Sequence, residues 1–431
     1  RLAAKALLDP NHPDGRAVEP IEHALSKARR ERGELSELLD LLGQTGAPRA
    51  ARSLLPFAAP GAEVALRSHA LSALGFLGEA GQWPALLSAL DDDSGSVRLA
   101  AASALGRLTL SGRALALLER LEQASDQERP LLVLALGGTL SGERNPELVR
   151  RLWSLLLRAH DGERDALIEL LGRMPAKEAI ESLATLAKSS TLAADRAKVA
   201  EAWAAHPSER ARLLPLLRDP SSAVRANAAW SLAEIGTAAD RPALEQALRD
   251  DAPSVAGNAL SALARIAQRE HGKIAALACP LLSDGRAMIR ALSVRALRLT
   301  AERCEAGQES AALIRDRSEF VRMSAAALLR DVSRGKADDA LLARCRDHDP
   351  SGAVAAECEP STPAQAVAGH DPTLVVIIPA GQDAPTEAQP FALLRADGLV
   401  RLGVSDRRGQ VFEVAAPRGA LSLLEPAADF E

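Results

Sequence analysis

The residues able to do chemistry are few and dispersed. Eight histidines stand at 12, 23, 69, 160, 206, 271, 348 and 370, and four cysteines at 279, 304, 345 and 358. The nearest approach to a metal-ligand cluster is "RDHDP" (346–350) with "AGHDP" (368–372), where turn formation accounts for Asp-Pro equally well. No Cys-x-x-Cys pair or Cys/His spacing points to zinc or redox catalysis. Helix-buried free thiols are the expected state of the cysteines. Disulfides in any of three pairings are the alternative in an oxidising compartment. No Gly-x-Ser-x-Gly, Walker loop or Gly-x-Gly-x-x-Gly occurs, and "LGGTLSGERN" (136–145) reads as a loop between helices. The sequence therefore offers no catalytic, cofactor-binding or metal-binding residue, and the expectation is a protein that is not an enzyme and carries no cofactor.

The elements around these residues are helical. Hydrophobic residues make up 47% and charged residues 25% of the 431, and the apolar ones are mainly Ala and Leu, which favour helix. Length alone allows roughly two to four domains. Six Phe, four Trp and no Tyr leave a core of small aliphatic side chains. A net charge of −5 with interspersed signs gives no electrostatic footprint for nucleic acid, and the scarcity of aromatics argues against single-strand binding. The strongest basic run, 286–303, spreads Arg286, Arg290, Arg295, Arg298 and Arg303 around a helix, as expected of a solvated surface. No apolar run is long enough to span a membrane. The sequence opens at Arg1 without a Met or a signal-like segment, which allows a cleaved export signal.

A repeat organises the chain. "DPSSAVRANAAWSLAEIG" (219–236), "DDAPSVAGNALSALARIA" (250–267), "DGRAMIRALSVRALRL" (284–299) and "DRSEFVRMSAAALLRDV" (316–332) share one pattern, with "DDSGSVRLAAASALGRL" (92–108) and "DPSGAVAAEC" (349–358). Aligned on Val97, Val224, Val255, Ile289, Val321 and Val354, each has an Asp five residues earlier, and consecutive anchors from Val224 lie 31 to 34 residues apart. A first helix leads into a polar turn that caps a second helix carrying Val, Ala and Leu on one face. One such hairpin cannot bury its apolar face alone, so neighbours must stack.

The pattern resembles the HEAT family, particularly its short form, the HEAT-like repeats of phycobilisome lyases. The match rests on the Asp and on the steps Val97-Arg98, Val224-Arg225, Ile289-Arg290 and Val321-Arg322. The resemblance implies an Asp–Arg ladder running from turn to turn, interrupted where Ala256 and Ala355 replace Arg. It covers roughly 31–358 and is weaker at 162–174 and 194–206, where the period persists without the signature. It implies a fold rather than a function. The di-iron deoxyhypusine hydroxylases, also helical repeats, need His-Glu dipeptides, of which this chain has none. Alkylpurine DNA glycosylases of similar build need a basic concave face.

Second helices line the concave face in HEAT solenoids, so positions three and six residues beyond each anchor should point away from the core. These are Asn227 and Trp230, Asn258 and Ser261, and Leu292 and Arg295. A Trp flanked by amides has the character of an interface hot spot, with packing over the neighbouring repeat's Leu side chains the competing reading for Trp230. Asn227, Trp230, Asn258 and Arg295 are the candidate partner-binding residues.

From "EPSTPAQAVAGHDP" (359–372) the composition turns to a Pro/Ala/Gly linker. Short runs at 373–379, 390–398, 399–406, 410–417 and 420–426 then alternate as antiparallel strands do. In "VRLGVSDRRGQVFEVAAPRG" (400–419) the alternation predicts a half-buried hairpin whose turn is set by Ser405, Asp406 and Gly409. The segment resembles carboxypeptidase-regulatory-like (transthyretin-like) β-sandwich modules through Asp406, Gly409, Phe412, Pro417 and Gly419, and such modules are mostly found in exported proteins.

The expected architecture is mainly α. An irregular helical cap (1–30) precedes a right-handed α–α superhelix of HEAT-like type (31–358, about ten helical pairs). A linker (359–372) then leads to a small antiparallel β-sandwich-like domain (373–426). The expected function is a non-enzymatic protein–protein interaction scaffold in a bacterial multiprotein assembly, periplasmic or envelope-associated, with cytoplasmic placement the alternative. Its partners would be one or more proteins and no nucleic acid. The other readings are a lyase- or chaperone-like subunit acting on a pigment or acceptor protein, and a nucleic-acid-binding repeat protein.

Overall fold

The computed structural model describes residues 15–27, 32–108, 110, 112–140, 142–304, 312–333, 335–360, 370–379, 382, 384–417 and 420–424. His12, most of the expected linker and Gly419 lie outside them. The chain divides into two compact units, Arg1–Leu183 and Ala184–Glu431.

The first unit contains α1 (Val18–Lys27), α2 (Arg32–Gln44), α3 (Ala51–Ala58), α4 (Val64–Leu77), α5 (Trp83–Ser88), α6 (Gly95–Arg107), α7 (Ala114–Gln123), α8 (Arg129–Thr139), α9 (Pro146–Leu156) and α10 (Asp161–Gly172). Second helices α2, α4, α6 and α8 stack side by side, each flanked by its own first helix. Small residues set their spacing. A Cβ on Gly75 would fall 2.6 Å from the Cα of Ala104, and one on Gly106 would fall 2.4 Å from the carbonyl of Leu134. Only Gly lets backbones approach so closely. The same constraint revises "LGGTLSGERN". Gly137 and Gly138 belong to the last turn of α8, where a Cβ on Gly138 would strike the Gly106 carbonyl at 2.4 Å, so the loop begins only after Thr139.

The second unit contains α11 (Ala193–Ala202), α12 (Arg210–Leu216), α13 (Ser222–Ile235), α14 (Arg241–Ala247), α15 (Pro253–Arg269), α16 (Ala275–Leu281), α17 (Ala287–Leu299), α18 (Glu319–Asp331), α19 (Lys336–His348) and α20 (Gly352–Glu357). Here α11, α13, α15, α17 and α18 form the row of second helices. The anchors Val224, Val255, Ile289 and Val321 are fully buried.

In the second unit the ladder is present and bidentate, whereas Arg98 of the first, expected to join it, donates to the carbonyls of its own turn, Asp92 (2.8 Å) and Asp93 (3.0 Å), and forms no rung. Arg225 donates to both oxygens of Asp250 (2.7 and 2.9 Å), Arg290 to Asp316 (2.8 and 2.8 Å) and Arg322 to Asp349 (2.8 and 3.1 Å). Each guanidinium also donates to the carbonyl of its own turn's Asp, at 2.8 Å from Arg225 to Asp219 and from Arg290 to Asp284, and at 3.0 Å from Arg322 to Asp316. Each carboxylate takes a backbone N–H two residues on, which closes the turn and caps the next helix. At Ala256 the rung is missing as expected. Asp284 instead takes the guanidinium of Arg286 from its own turn, at 2.9 and 3.0 Å.

One rung lies where the sequence signature is lost. Arg196 donates to Asp219 at 2.7 and 2.9 Å, so the anchor of that repeat is Asp195 rather than a valine.

Both cysteine pairs are disulfides, Cys279–Cys304 and Cys345–Cys358, which corrects the expectation of free thiols. The members of each pair fold back on one another within or beside a single helical hairpin, with Cα atoms 5.8 and 6.0 Å apart, inside the range a disulfide spans.

Within the second unit the chain ends in two antiparallel sheets. β1 (His370–Val376) pairs with β4 (Gln410–Pro417). β2 (Pro390–Leu394) lies between β3 (Val400–Val404) and β5 (Ser422–Leu424). Ile377, Phe391, Leu393 and Val411 form a small core with Val375 and Leu421 packed on it.

The 400–417 stretch is therefore a crossover between two sheets and not a hairpin. Its turn is nevertheless built by the anticipated residues. Asp406 Oδ1 accepts from the N–H groups of Arg408 (2.8 Å) and Gln410 (3.0 Å), and Gly409 takes φ +69°. Nor is β3 half-buried: Val400, Arg401, Leu402 and Gly403 are all buried, because the strand's second side lies against helices.

The ladder carboxylates titrate low. Burial alone would raise Asp250, Asp316 and Asp349, but their guanidinium and backbone N–H donors outweigh it and hold all three below the ordinary aspartate value. Such depressed groups contribute stability that is complete near neutrality and is lost as pH falls below about 4. We expect Arg290→Ala, which strips Asp316 of its bidentate partner, to cost about 2 kcal/mol in urea unfolding near neutral pH. The deficit should shrink as acid protonates Asp316. A cost indistinguishable from zero at pH 7 would mean that the ladder is decorative.

Candidate interaction surface

The second-helix face of the second unit is covered by the chain's own β region. With anchors at Asp195, Val224, Val255 and Ile289, the residues three and six positions on are Lys198 and Glu201, Asn227 and Trp230, Asn258 and Ser261, and Leu292 and Arg295. All but Leu292 have a polar or ring contact with that region, and Leu292 lies beside Leu402 at Gly257. Seven of the eight are buried, and Asn227 is partly so.

The grip on β3 is partly main chain. The Asn258 side chain accepts from Leu402 N–H (2.9 Å) and donates to Leu402 C=O (2.8 Å), meeting the strand edge as another strand would. Ser261 Oγ donates to the Val400 carbonyl (3.2 Å) and Arg295 to the Gly398 carbonyl (3.0 Å). Gly257 admits the strand's side chain, since a Cβ there would lie 2.5 Å from Leu402 Cδ1 and 2.8 Å from Leu292 Cδ1.

The rest is a buried ion network. Arg401 donates to Glu413 Oε1 (2.6 Å), Glu201 Oε1 (2.6 Å) and the Phe412 carbonyl (3.0 Å). Arg395 pairs with Glu234, with Glu413 Oε2 (3.2 Å) and with Asp397 (3.1 Å). Trp230 lies beneath both, its ring centroid 5.2 Å from the Arg395 guanidinium carbon and 6.0 Å from that of Arg401. Toward one end Lys198 reaches Glu201 (2.5 Å) and Asp406 (3.3 Å), and Arg407 reaches the fully buried Asp195 (3.0 Å). Toward the other, Arg265 meets Asp397 (3.0 Å). Burial pushes Arg401 toward losing its proton, but the charges of Glu413 and Glu201 outweigh this and hold it firmly charged. Arg295 is brought down to about 10 by burial, with the charge of Arg298 nearby adding to the effect.

The four candidate residues thus share one surface, and what they touch there is this chain's own C-terminus. Sequence reading missed Asp195, Lys198, Glu201, Glu234 and Arg265. Arg196, the ladder residue beside Asp195, would have fixed the register, and a further turn along α13 and α15 leads to Glu234 and Arg265.

The basic run 286–303 is not a solvated surface. Arg286 pairs with Asp284, Arg290 with Asp316, Arg298 with Asp331 and Arg303 with Asp338, while Arg295 is buried. Among the described residues no three His, Cys, Asp or Glu stand as metal ligands, and no helix is long and apolar enough to cross a membrane. His348 is exposed, with its ring beside the Arg344 carbonyl (3.2 Å).

Residues 51–137, 193–264 and 210–298 match the family model described as HEAT repeats. These stretches of the chain, a little under half of its length, are similar to HEAT repeats. None of the curated proteins is similar in sequence. Among solved structures, an engineered protein is similar over 74% of this chain and 99% of its own, at 17% identity and a TM-score of 0.32. The Escherichia coli protein YIBA is similar over 62% of this chain and 96% of its own, at 16% identity and a TM-score of 0.40. A mutant of Kap121p is similar over 83% of this chain and 50% of its own, at 13% identity and a TM-score of 0.40.

Asn258→Ala would leave the N–H and C=O of Leu402 without their buried partner, at a cost of about 1–3 kcal/mol for each group left unpaired. We expect amide exchange across 400–404 to accelerate while that of α18 is unchanged. Unaltered protection of Leu402 would show that the amide contact does not hold the strand.

Proposed function

We propose that this HEAT-repeat chain is a non-enzymatic scaffold for other proteins, working in an exported bacterial compartment as part of an envelope assembly. The observation that carries the reading is the grip on β3. The second-helix face holds a length of protein strand by its main chain and by its arginines, which is the task a scaffold performs on a partner.

Two further features support the reading. Both disulfides fit an oxidising compartment, where such bonds persist. The arginines of 286–303 are engaged within the chain, leaving that stretch without a free phosphate track. We also read the β region as a carboxypeptidase-regulatory-like, transthyretin-like module, on its strand runs and its Asp406–Gly409 turn. Its two small sheets around a shared core fit that reading.

Thiol titration tests the placement. Protein taken from its native compartment and denatured without reductant should show no free thiol, and four after reduction. Four free thiols before reduction would overturn the exported reading. Affinity capture from envelope and cytosolic fractions tests the scaffold role, with defined protein partners expected from the envelope fraction. Turnover of a substrate by the purified chain with no protein partner captured would overturn it.

A further inference from the structure

The contacts that seat β3 fall into two kinds, and together they specify more than one occupant. The first kind reads backbone. Asn258, Ser261 and Arg295 bond to main-chain groups of Leu402, Val400 and Gly398, which any extended segment offers. The second kind reads guanidinium. Glu201, Glu234 and the amide oxygen of Asn227 surround Arg395 and Arg401 over the face of Trp230. Beside them, Gly257 leaves room for one apolar side chain, filled by Leu402.

The occupant is not built as part of the helical core. The β region has its own apolar cluster of Ile377, Phe391, Leu393 and Val411, and it meets the helices through paired charges as well as through the main-chain bonds and Leu402. Inter-domain surfaces of this polar kind resemble transient protein–protein interfaces. Buried ion pairs add little net stability over well-packed apolar groups, and they confer selectivity instead.

We infer that the second-helix face of the second unit is a docking site for an extended strand bearing arginine followed by an apolar residue, presented by a partner protein, and that β3 with Arg395 occupies that site in cis. The inference rests on the scaffold reading and names the partner chemistry it would take. A competing segment must supply a strand edge for Asn258, one guanidinium for Glu201 and a second for Glu234, and a Leu-sized side chain over Gly257. The chain's own strand then sets the threshold that a partner must exceed.

The test uses the full chain and a fluorescent peptide of residues 394–406. The double variant Arg395→Gln/Arg401→Gln weakens the resident strand's hold. It should bind the peptide at least ten-fold more tightly than the wild-type chain, with affinity falling as salt rises. Adding Glu201→Gln and Glu234→Gln should remove that gain. Equal binding to both chains, or no binding to the variant, would overturn the inference.

A second measurement stands if the variant fails to fold. In the wild-type chain, raised salt should speed exchange at 400–404 and in α15 together, while the Phe391–Val411 core stays protected. Exchange of these segments only through global unfolding would also overturn it. Failure of the peptide alongside capture of an envelope protein would reject this site and leave the scaffold reading standing.

Discussion

The bidentate Arg–Asp pair between successive turns is the constraint from which the rest follows. A helical hairpin of this length, made of Ala and Leu, could slide against its neighbour with little penalty, because small aliphatic side chains pack in more than one register. A guanidinium fixed to both oxygens of the next repeat's carboxylate, and to the carbonyl of its own turn, permits one register only. Once Arg225 and Asp250 are locked, the residues three and six positions beyond Val224 and Val255 must fall on one face. The alignment of Asn227, Trp230, Asn258 and Ser261 beneath β3 is a consequence of that lock. Where the rung fails at Ala256, Arg286 satisfies Asp284 locally and the stacked anchors continue through Ile289.

Much of this was legible in the sequence for a physical reason. The ladder and the anchors require particular side chains at fixed spacing, and so does the Asp406–Gly409 turn. The periodicity therefore exposed the helical pairs and the interruption at Ala256. It also showed that Asn227, Trp230, Asn258 and Arg295 share a ridge.

What the sequence hid depends on long-range pairing. Nothing in the local alternation of 400–417 states that β3 hydrogen-bonds to β2 and β4 to β1, so the stretch read as a hairpin. Alternation marked the stretch that carries Arg401 as half-buried, because its partners Glu201 and Glu413 are 200 and 12 residues away. The disulfides escaped for a similar reason. Separations of 25 and 13 residues become bridges only when a hairpin folds each cysteine onto its partner.

The β region's docking also shows how an electrostatic surface can be specific without being apolar. Charges withdrawn from water are costly unless each is met, and here the meeting is mutual. Glu413 answers both Arg395 and Arg401, Glu201 answers Arg401 and Lys198, and Asp397 answers Arg395 and Arg265. Every member thus depends on a group from the other side, or on one that itself does. A network of this kind discriminates against a wrong occupant, because a segment lacking the two guanidiniums would leave Glu234 without the counter-charge of Arg395 and Glu201 with Lys198 alone.

Asp195 carries this logic into the repeat itself. Its position is the anchor, occupied by a fully buried Val or Ile in the repeats from Val224 to Val321, and a carboxylate there works against the packing that defines the fold. The site accommodates it through Ser190 Oγ at 2.7 Å and the Arg407 guanidinium at 3.0 Å. Ser190 belongs to the repeat, whereas Arg407 belongs to the β region. The substitution therefore ties the burial of one helix to the seating of the C-terminal strands. It also explains why the repeat signature fades at 194–206 while the ladder arginine beside it remains. A residue that breaks the local rule while its neighbours keep it marks the place where a second requirement has been laid over the fold. In this chain that requirement is to hold a strand.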